Sequence, residues 1–173
     1  ETQFGRNGNA MRLDSQTWRN LADVDRPLWQ HDLTLIEPWF TGNDCLLFIN
    51  GGSNPVESQG PDSAIAVANM ALGVKYAQLG QVPNQPLYFT DEVNNARTED
   101  EILAYSLDKA LETGDLEWAV HSAMTKAAVK AMDVIQRQNK MVDKFMILGA
   151  SKRGWTTWLT AAVDPRVESI VPI

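Results

Sequence analysis

The 173-residue sequence is poor in the residues on which several functional classes depend. It has one cysteine, Cys45, so no internal disulfide can form and the redox compartment stays open. Two histidines, His31 and His121, are too few for a multi-histidine metal centre, and neither a metal nor a cofactor is expected. Basic residues are outnumbered, 15 Lys and Arg against 22 Asp and Glu. The resulting net charge of −7 is the opposite of a nucleic-acid-binding footprint. No window approaches the roughly 18 consecutive apolar residues of a membrane span. The densest apolar stretch, residues 64–77, is broken by Asn69, Gly73 and Lys75. There is no internal repeat and no low-complexity tract, and the sequence opens at Glu1 with no initiator Met, as expected of a processed or trimmed chain.

What is present describes a folded domain. Hydrophobic residues make up 44% and charged residues 21%, enough for a substantial core. Residues 28–39 alternate around Leu33, Thr34 and Leu35 and predict a half-buried strand stopped by Pro38. Residues 45–49 (CLLFI) are almost wholly apolar, as a central strand covered on both faces requires, and run into the turn cluster 50–55 (NGGSNP). The pattern then predicts a helix over residues 62–79, with Asp62 or Ser63 as N-cap and Gly80 past its end. Its buried side is expected to carry Ile65, Ala68, Met70, Leu72 and Tyr76.

Pro83 and Pro86 bracket a turn into a short strand at 87–89. Thr98 and Glu101 form a capping box for a helix over 99–111, and Gly114 separates it from a second helix over 116–139. That helix carries the apolar stripe Val120, Met124, Ala127, Ala128, Ala131, Met132 and Ile135, with Asp133 and Arg137 as an exposed ion pair. A buried strand at 145–148, a helix over 152–163, a turn at 164–166 and a strand from 167 complete the series. Apolar strands alternating with helices imply an α/β fold with a mainly parallel central sheet between helical layers. The sequence stops in the apolar run Val171-Pro172-Ile173, which reads as a strand in progress. Residues 1–173 are therefore expected to be the N-terminal part of a single larger domain.

The chemistry concentrates at Gly149-Ala150-Ser151-Lys152-Arg153-Gly154, between a buried strand and a helix. This approximates the G-x-S-x-G nucleophile elbow, whose sharp turn lifts a serine hydroxyl above the sheet edge. Small residues are needed because strand and helix pass closely there. Arg153 stands where the second glycine is usual, and the glycine is displaced to Gly154. In one reading Ser151 attacks an ester or amide carbonyl, and the backbone N–H of Lys152 with those of Gly51 and Gly52 holds the oxyanion. In the other, Ser151 merely N-caps the following helix.

A serine nucleophile needs a base, ordinarily a histidine, and in this fold order acid and histidine follow it. The 22 residues after Ser151 hold Asp164 and Glu168 but no histidine. His121 and His31 precede the elbow and read as boundary residues, and Asp164 reads as the cap of the Pro165 turn. The missing partners are expected beyond residue 173.

Several blocks carry a family likeness: SQTW at 15–18, PLWQH at 27–31, LFINGG at 47–52, QVPNQPL at 81–87, KAAVKAMD at 126–133, and GASKRGW at 149–155 with WLTAA and DPRV after it. On these the chain resembles the PhoPQ-activated pathogenicity-related proteins, a family of α/β-hydrolase-like, extracytoplasmic proteins. The displaced glycine of the elbow is shared by that family. The resemblance implies a three-layer α/β-hydrolase-like fold, Ser151 as nucleophile, and a periplasmic or secreted location. The elbow alone is also similar to the Ser-Arg-x-Gly turn of glucuronoyl esterases, a pointer to carbohydrate-linked esters.

The expected partners are therefore a small-molecule, peptide or carbohydrate ester substrate and the rest of the same chain, with no nucleic acid and no membrane span. A protein that keeps the fold without catalysis, in binding or signalling, is the rival reading. Arg153, with Lys152, is a candidate for attracting an acidic substrate, unless the two are only salt-bridged or solvated. Trp155 and Trp158 are expected to pack on the sheet, with Trp155 the alternative pocket residue. Trp118 suits either a cap over the site or a core anchor, and Cys45 a core position.

Overall fold

The sheet is organised around the two apolar strands that flank its middle. The computed structural model describes residues 7–39, 42–57 and 60–173. Strands β1 (Asn7–Thr17), β2 (Leu28–Glu37), β3 (Asp44–Ile49), β4 (Lys75–Leu79), β7 (Lys144–Gly149) and β8 (Val167–Pro172) form a six-stranded sheet in the order β1-β2-β4-β3-β7-β8. Strands β4, β3, β7 and β8 are mutually parallel, whereas β1 and β2 run antiparallel at one side. A two-residue pair, β5 (Leu87–Tyr88) with β6 (Ala96–Arg97), lies apart.

Side-chain alternation along the strands divides the core in two. Leu46 and Tyr76, together with Ile36 of β2, cluster with Ala66 of helix α1 (Ser63–Ala71). Cys45, Leu47, Ile49, Ala77, Leu79, Phe145 and Ile147 face the other way, into the larger core. There α3 (Val120–Gln138) and α4 (Lys152–Val163) pack on the sheet and on each other, with α2 (Glu99–Thr113) against α3. Every position of the stripe read from the sequence on α3 is buried. Burying each large aliphatic side chain of this kind stabilises the fold by about 1.5–3 kcal/mol. Burial also holds the Cys45 thiol up, at about 12, so it behaves as a core hydrophobe. The capping box of α2 is formed as expected, Glu101 accepting from the Thr98 N–H at 3.0 Å.

The structure departs from or adds to the sequence reading at three places in the fold. The helix predicted over 62–79 is two elements: α1 ends at Ala71, Gly73 takes φ 69°, and the chain re-enters the sheet as β4. Asp62 is the N-cap, but Leu72 is exposed and Ala66 and Asn69, rather than Ala68 and Met70, are the buried residues of α1. Second, the polar N-terminal stretch forms β1, an edge strand whose outward residues Arg12 and Asp14 are solvated while Leu13 and Ser15 turn inward. Third, Asp133 pairs with Lys130 at 3.3 Å and with Arg166 at 3.0 Å instead of with Arg137.

Trp118, in a short 3-10 turn (Leu116–Trp118) between α2 and α3, is a core anchor. It meets Trp18, Phe89 and Tyr105 at ring separations of 6.2–6.3 Å, edge-on or tilted. Arg19 lies over its face at 4.1 Å.

Candidate active site

The GASKRG segment forms a tight strand–turn–helix at the carboxyl end of β7. Ala150 and Ser151 are the two residues between the end of β7 at Gly149 and the start of α4 at Lys152, and the Ser151 backbone sits at φ 56°, ψ −124°. A side chain in that region is strained by about 1–3 kcal/mol, and such strain persists only where surrounding structure imposes it. Here the imposing groups are visible. The Ser151 N–H donates to the Ile173 carbonyl at 2.6 Å, and the Ile173 N–H donates to the Gly149 carbonyl at 2.9 Å, so the end of β8 clamps the turn.

The glycines answer to close approach. A Cβ on Gly149 would lie 2.5 Å from the Arg153 carbonyl oxygen, and one on Gly154 would lie 3.0 Å from the Gly149 oxygen and 3.1 Å from that of Ile173. The displaced second glycine thus performs the close-packing role from one residue further on. Ser151 accepts no hydrogen bond from the helix as an N-cap side chain. Its side chain is exposed, in an open depression of about 510 Å³ lined by Ser151, Gly154, Trp155, Trp158, Pro172 and Ile173.

The Gly51–Gly52 loop follows β3, the strand next to β7. The Gly51 carbonyl accepts from the Gln81 N–H at 2.8 Å, and the Gly51 N–H donates to the Asn50 side-chain oxygen at 2.8 Å. Gly52 adopts φ 137°, a conformation suited to glycine. Lys152 is the first residue of α4, so its N–H has no partner within the helix and lies at the positive end of the helix dipole.

The two cations after the serine are both paired. Lys152 is buried, and its Nζ lies 2.6 Å from Glu99 and 3.0 Å from Asp100. The Arg153 Nη2 donates to both Glu99 carboxylate oxygens, at 2.7 and 2.9 Å, while its Nε donates to the Val82 carbonyl at 2.6 Å. Gln85 completes the arrangement, its amide donating to Glu99 Oε1 and its carbonyl accepting the Glu99 N–H, each at 2.7 Å. Burial raises the Glu99 pKa, but hydrogen bonds from Arg153, Lys152 and Gln85 outweigh it and hold the carboxyl at about 2. Glu99 is the residue that sequence reading missed. It appears there only as an acidic first-turn residue, far along the chain from the cations it binds.

The aromatic residues of α4 depart from expectation. Trp155 and Trp158 are 51% and 60% exposed instead of packed on the sheet, and Trp155 joins Ser151 in lining the depression. Trp155 also meets His121 in a tilted ring contact, 3.9 Å between centroids with the planes at 46°. His121 is buried, not a boundary residue, and burial lowers its pKa. His31 is deeply buried too, bonded to the Ser15 hydroxyl at 2.9 Å and the Gly80 carbonyl at 3.0 Å, and burial holds it at about 4. Among the described residues neither histidine is hydrogen-bonded to Ser151. Asp164 accepts from the Arg166 N–H at 3.0 Å and so closes the turn read there. Among the described residues no three His, Cys, Asp or Glu side chains are grouped to hold a metal ion, and no helix is long and apolar enough to cross a membrane.

The sequence profile of the PhoPQ-activated pathogenicity-related proteins matches residues 2–173. The chain belongs to this family. Autocrine proliferation repressor protein A of Dictyostelium discoideum is 37% identical to this PhoPQ-related chain over 174 residues, which is 96% of the chain and 35% of that protein. The chain thus spans about a third of the length of this curated relative.

Solved structures place the PhoPQ-related fold among the α/β-hydrolases. A thermostable carboxyl esterase from Bacillus coagulans superposes with TM-score 0.58 at 11% identity, over 96% of this chain and 44% of that one. Acetyl xylan esterase 1 from Thermoanaerobacterium gives 0.55 at 16% identity, over 83% and 44%. Acylaminoacyl peptidase from Pyrococcus horikoshii gives 0.55 at 11% identity, over 96% and 23%. The α/β-hydrolase-like architecture read from the strand and helix pattern is therefore the observed one.

Proposed function

We propose that the protein is a serine hydrolase acting on an ester or peptide-like bond, with Ser151 as nucleophile. The observation that carries this reading is the strained, exposed Ser151 at φ 56° in a clamped strand–turn–helix. In the proposed reaction the Ser151 Oγ attacks the substrate carbonyl carbon as its proton passes to a general base. In this step the oxyanion is held by the backbone N–H groups of Lys152 and Gly52, the Gly51 N–H being already donated to the Asn50 side chain. Collapse breaks the bond to the leaving group, which takes the proton, and water then hydrolyses the acyl-enzyme by the same steps in reverse roles.

Base and acid would come from chain beyond residue 173, a proposal supported by the greater length of the curated relative. Trp155 would line the acyl or leaving-group side of the depression. An extracytoplasmic location belongs to this reading as well, supported by the family likeness.

A second reading is favoured by the name of the Dictyostelium relative, a proliferation repressor. On that reading the protein keeps the hydrolase fold as a signalling or binding scaffold. A fluorophosphonate probe applied to the full-length protein separates the two. The hydrolase reading expects covalent labelling of the folded wild type and none of Ser151→Ala. An unlabelled wild type, or a mutant labelled equally, would refute it and leave the scaffold reading in place.

A further inference from the structure

Gly51 presents an oddity. Its backbone is not in the left-handed region, so conformation alone does not call for glycine there. What excludes a side chain is one neighbour: a Cβ would lie 2.7 Å from Arg153 Nη2, 3.1 Å from its Cζ and 3.6 Å from its Nε. All three nearest atoms belong to the Arg153 guanidinium. The tip of a long side chain ordinarily swings aside for a methyl group at little cost. This one is held at its Nε by the Val82 carbonyl and at its Nη2 by both oxygens of Glu99. Glu99 is in turn gripped by Gln85 and Lys152.

The fixed points of this plate belong to the elbow helix and to the segment that supports the glycine loop. Arg153 is in the first turn of α4, two residues after Ser151. Val82 follows Gln81, whose N–H supports the Gly51 carbonyl. A rigid planar group therefore spans from the elbow to the glycine loop and rests against the loop backbone.

We propose that Arg153 is a positioning residue: its guanidinium is the spacer that sets the Gly51–Gly52 loop at its working height relative to Ser151. The proposal rests on the hydrolase reading and assigns to Arg153 a role other than attracting an acidic substrate, since its charge is already matched by Glu99. It also accounts for the irregular elbow. A glycine at position 153 would leave nothing to carry the loop, so the glycine needed for close packing stands at 154. Lysine would not substitute, because it lacks the flat fork that bonds Val82 and Glu99 together.

The test is a double-mutant cycle in the full-length protein, read as the fluorophosphonate labelling rate with its saturation constant and maximal rate resolved. Gly51→Ala and Arg153→Met should each lower the maximal labelling rate by about 10- to 100-fold, the range below loss of a whole oxyanion donor. The saturation constant should stay within about twofold. In the Arg153→Met background the Gly51→Ala change should have almost no further effect, because the atoms it collides with are gone. A merely structural contribution would move the urea midpoint in step with the rate and would not confine the loss to the maximal rate.

If Arg153→Met does not fold, Arg153→Lys supplies the second background. It keeps a cation beside Glu99 but withdraws the plate, and the same loss of additivity is expected. Multiplicative effects, or an Arg153 variant that labels at the wild-type rate, overturn the spacer while leaving the hydrolase reading intact. A folded wild type that never labels removes the hydrolase reading itself, and the spacer role with it.

Discussion

Replacing Ser151 by glycine should stabilise the protein while removing the proposed nucleophile. The backbone at φ 56°, ψ −124° strains any residue with a Cβ by about 1–3 kcal/mol. Glycine adopts such angles freely but gains freedom in the unfolded chain, which offsets roughly 0.5–1 kcal/mol of the relief. The serine side chain is exposed and caps no helix N–H, so little else is lost.

The net expectation is a gain of about 0.5–2 kcal/mol for Ser151→Gly. Ser151→Ala keeps both Cβ and strain and should stay within about 0.5 kcal/mol of wild type. Urea unfolding of the three full-length proteins measures this. With slopes of about 1–3 kcal/mol per molar, the glycine variant's midpoint should rise by several tenths of a molar above that of alanine. The comparison with alanine matters because both variants lack the hydroxyl. A glycine variant no more stable than the alanine variant would refute the strain, and with it the main support for Ser151 as a nucleophile.

Two other expectations follow from the same geometry and from burial. Gly149→Ala forces a methyl group to within 2.5 Å of the Arg153 carbonyl, whereas Gly154→Ala meets its nearest atom at 3.0 Å. Both should destabilise, by about 1–3 kcal/mol, with Gly149→Ala clearly the worse in the same urea series. Burial holds His31 at about 4, below its ordinary 6.5, so the folded state favours the neutral ring. The associated stability is complete above pH 6.5 and is lost as pH falls toward 4, about 3 kcal/mol in all. Urea midpoints of wild type against His31→Gln across that interval check it. A wild-type profile that is flat from pH 6.5 to 4 would count against a buried neutral His31.

Much of this architecture is legible in the residues. The apolar runs of β3 and β7, the Thr98–Glu101 box and the stripe of α3 each carry a local signal strong enough to survive folding. β4 was hidden because it is five fully buried residues placed almost directly after a helix, with Lys75 at its start. That lysine is fully buried and its ammonium bonds the Gly42 carbonyl, a partner no local pattern announces. Gly73 was the available sign, a helix terminator inside what otherwise reads as one apolar stretch. β1 was hidden for the opposite reason: as an edge strand it shows solvent a polar face and looks like a loop.

At the site, the elbow could be read because its glycines and serine are adjacent in sequence. The destination of the Arg153 side chain could not. It depends on Glu99 and Val82, residues 54 and 71 positions away, and only folding brings them to it.

The bonds that tie the Ser151 turn to Ile173 also make the serine's backbone conformation depend on a distant part of the chain. β7 and α4 are neighbours in sequence and can form early, but the turn between them has no reason to hold an unfavourable backbone until β8 lies against β7. The serine is therefore held in its attitude by Ile173, 22 residues further along and just past β8. A nascent or partly opened molecule would contain the sheet, the helix and the hydroxyl, yet the hydroxyl would be relaxed and misdirected. The attitude of the hydroxyl thus depends on completed assembly of this edge of the sheet.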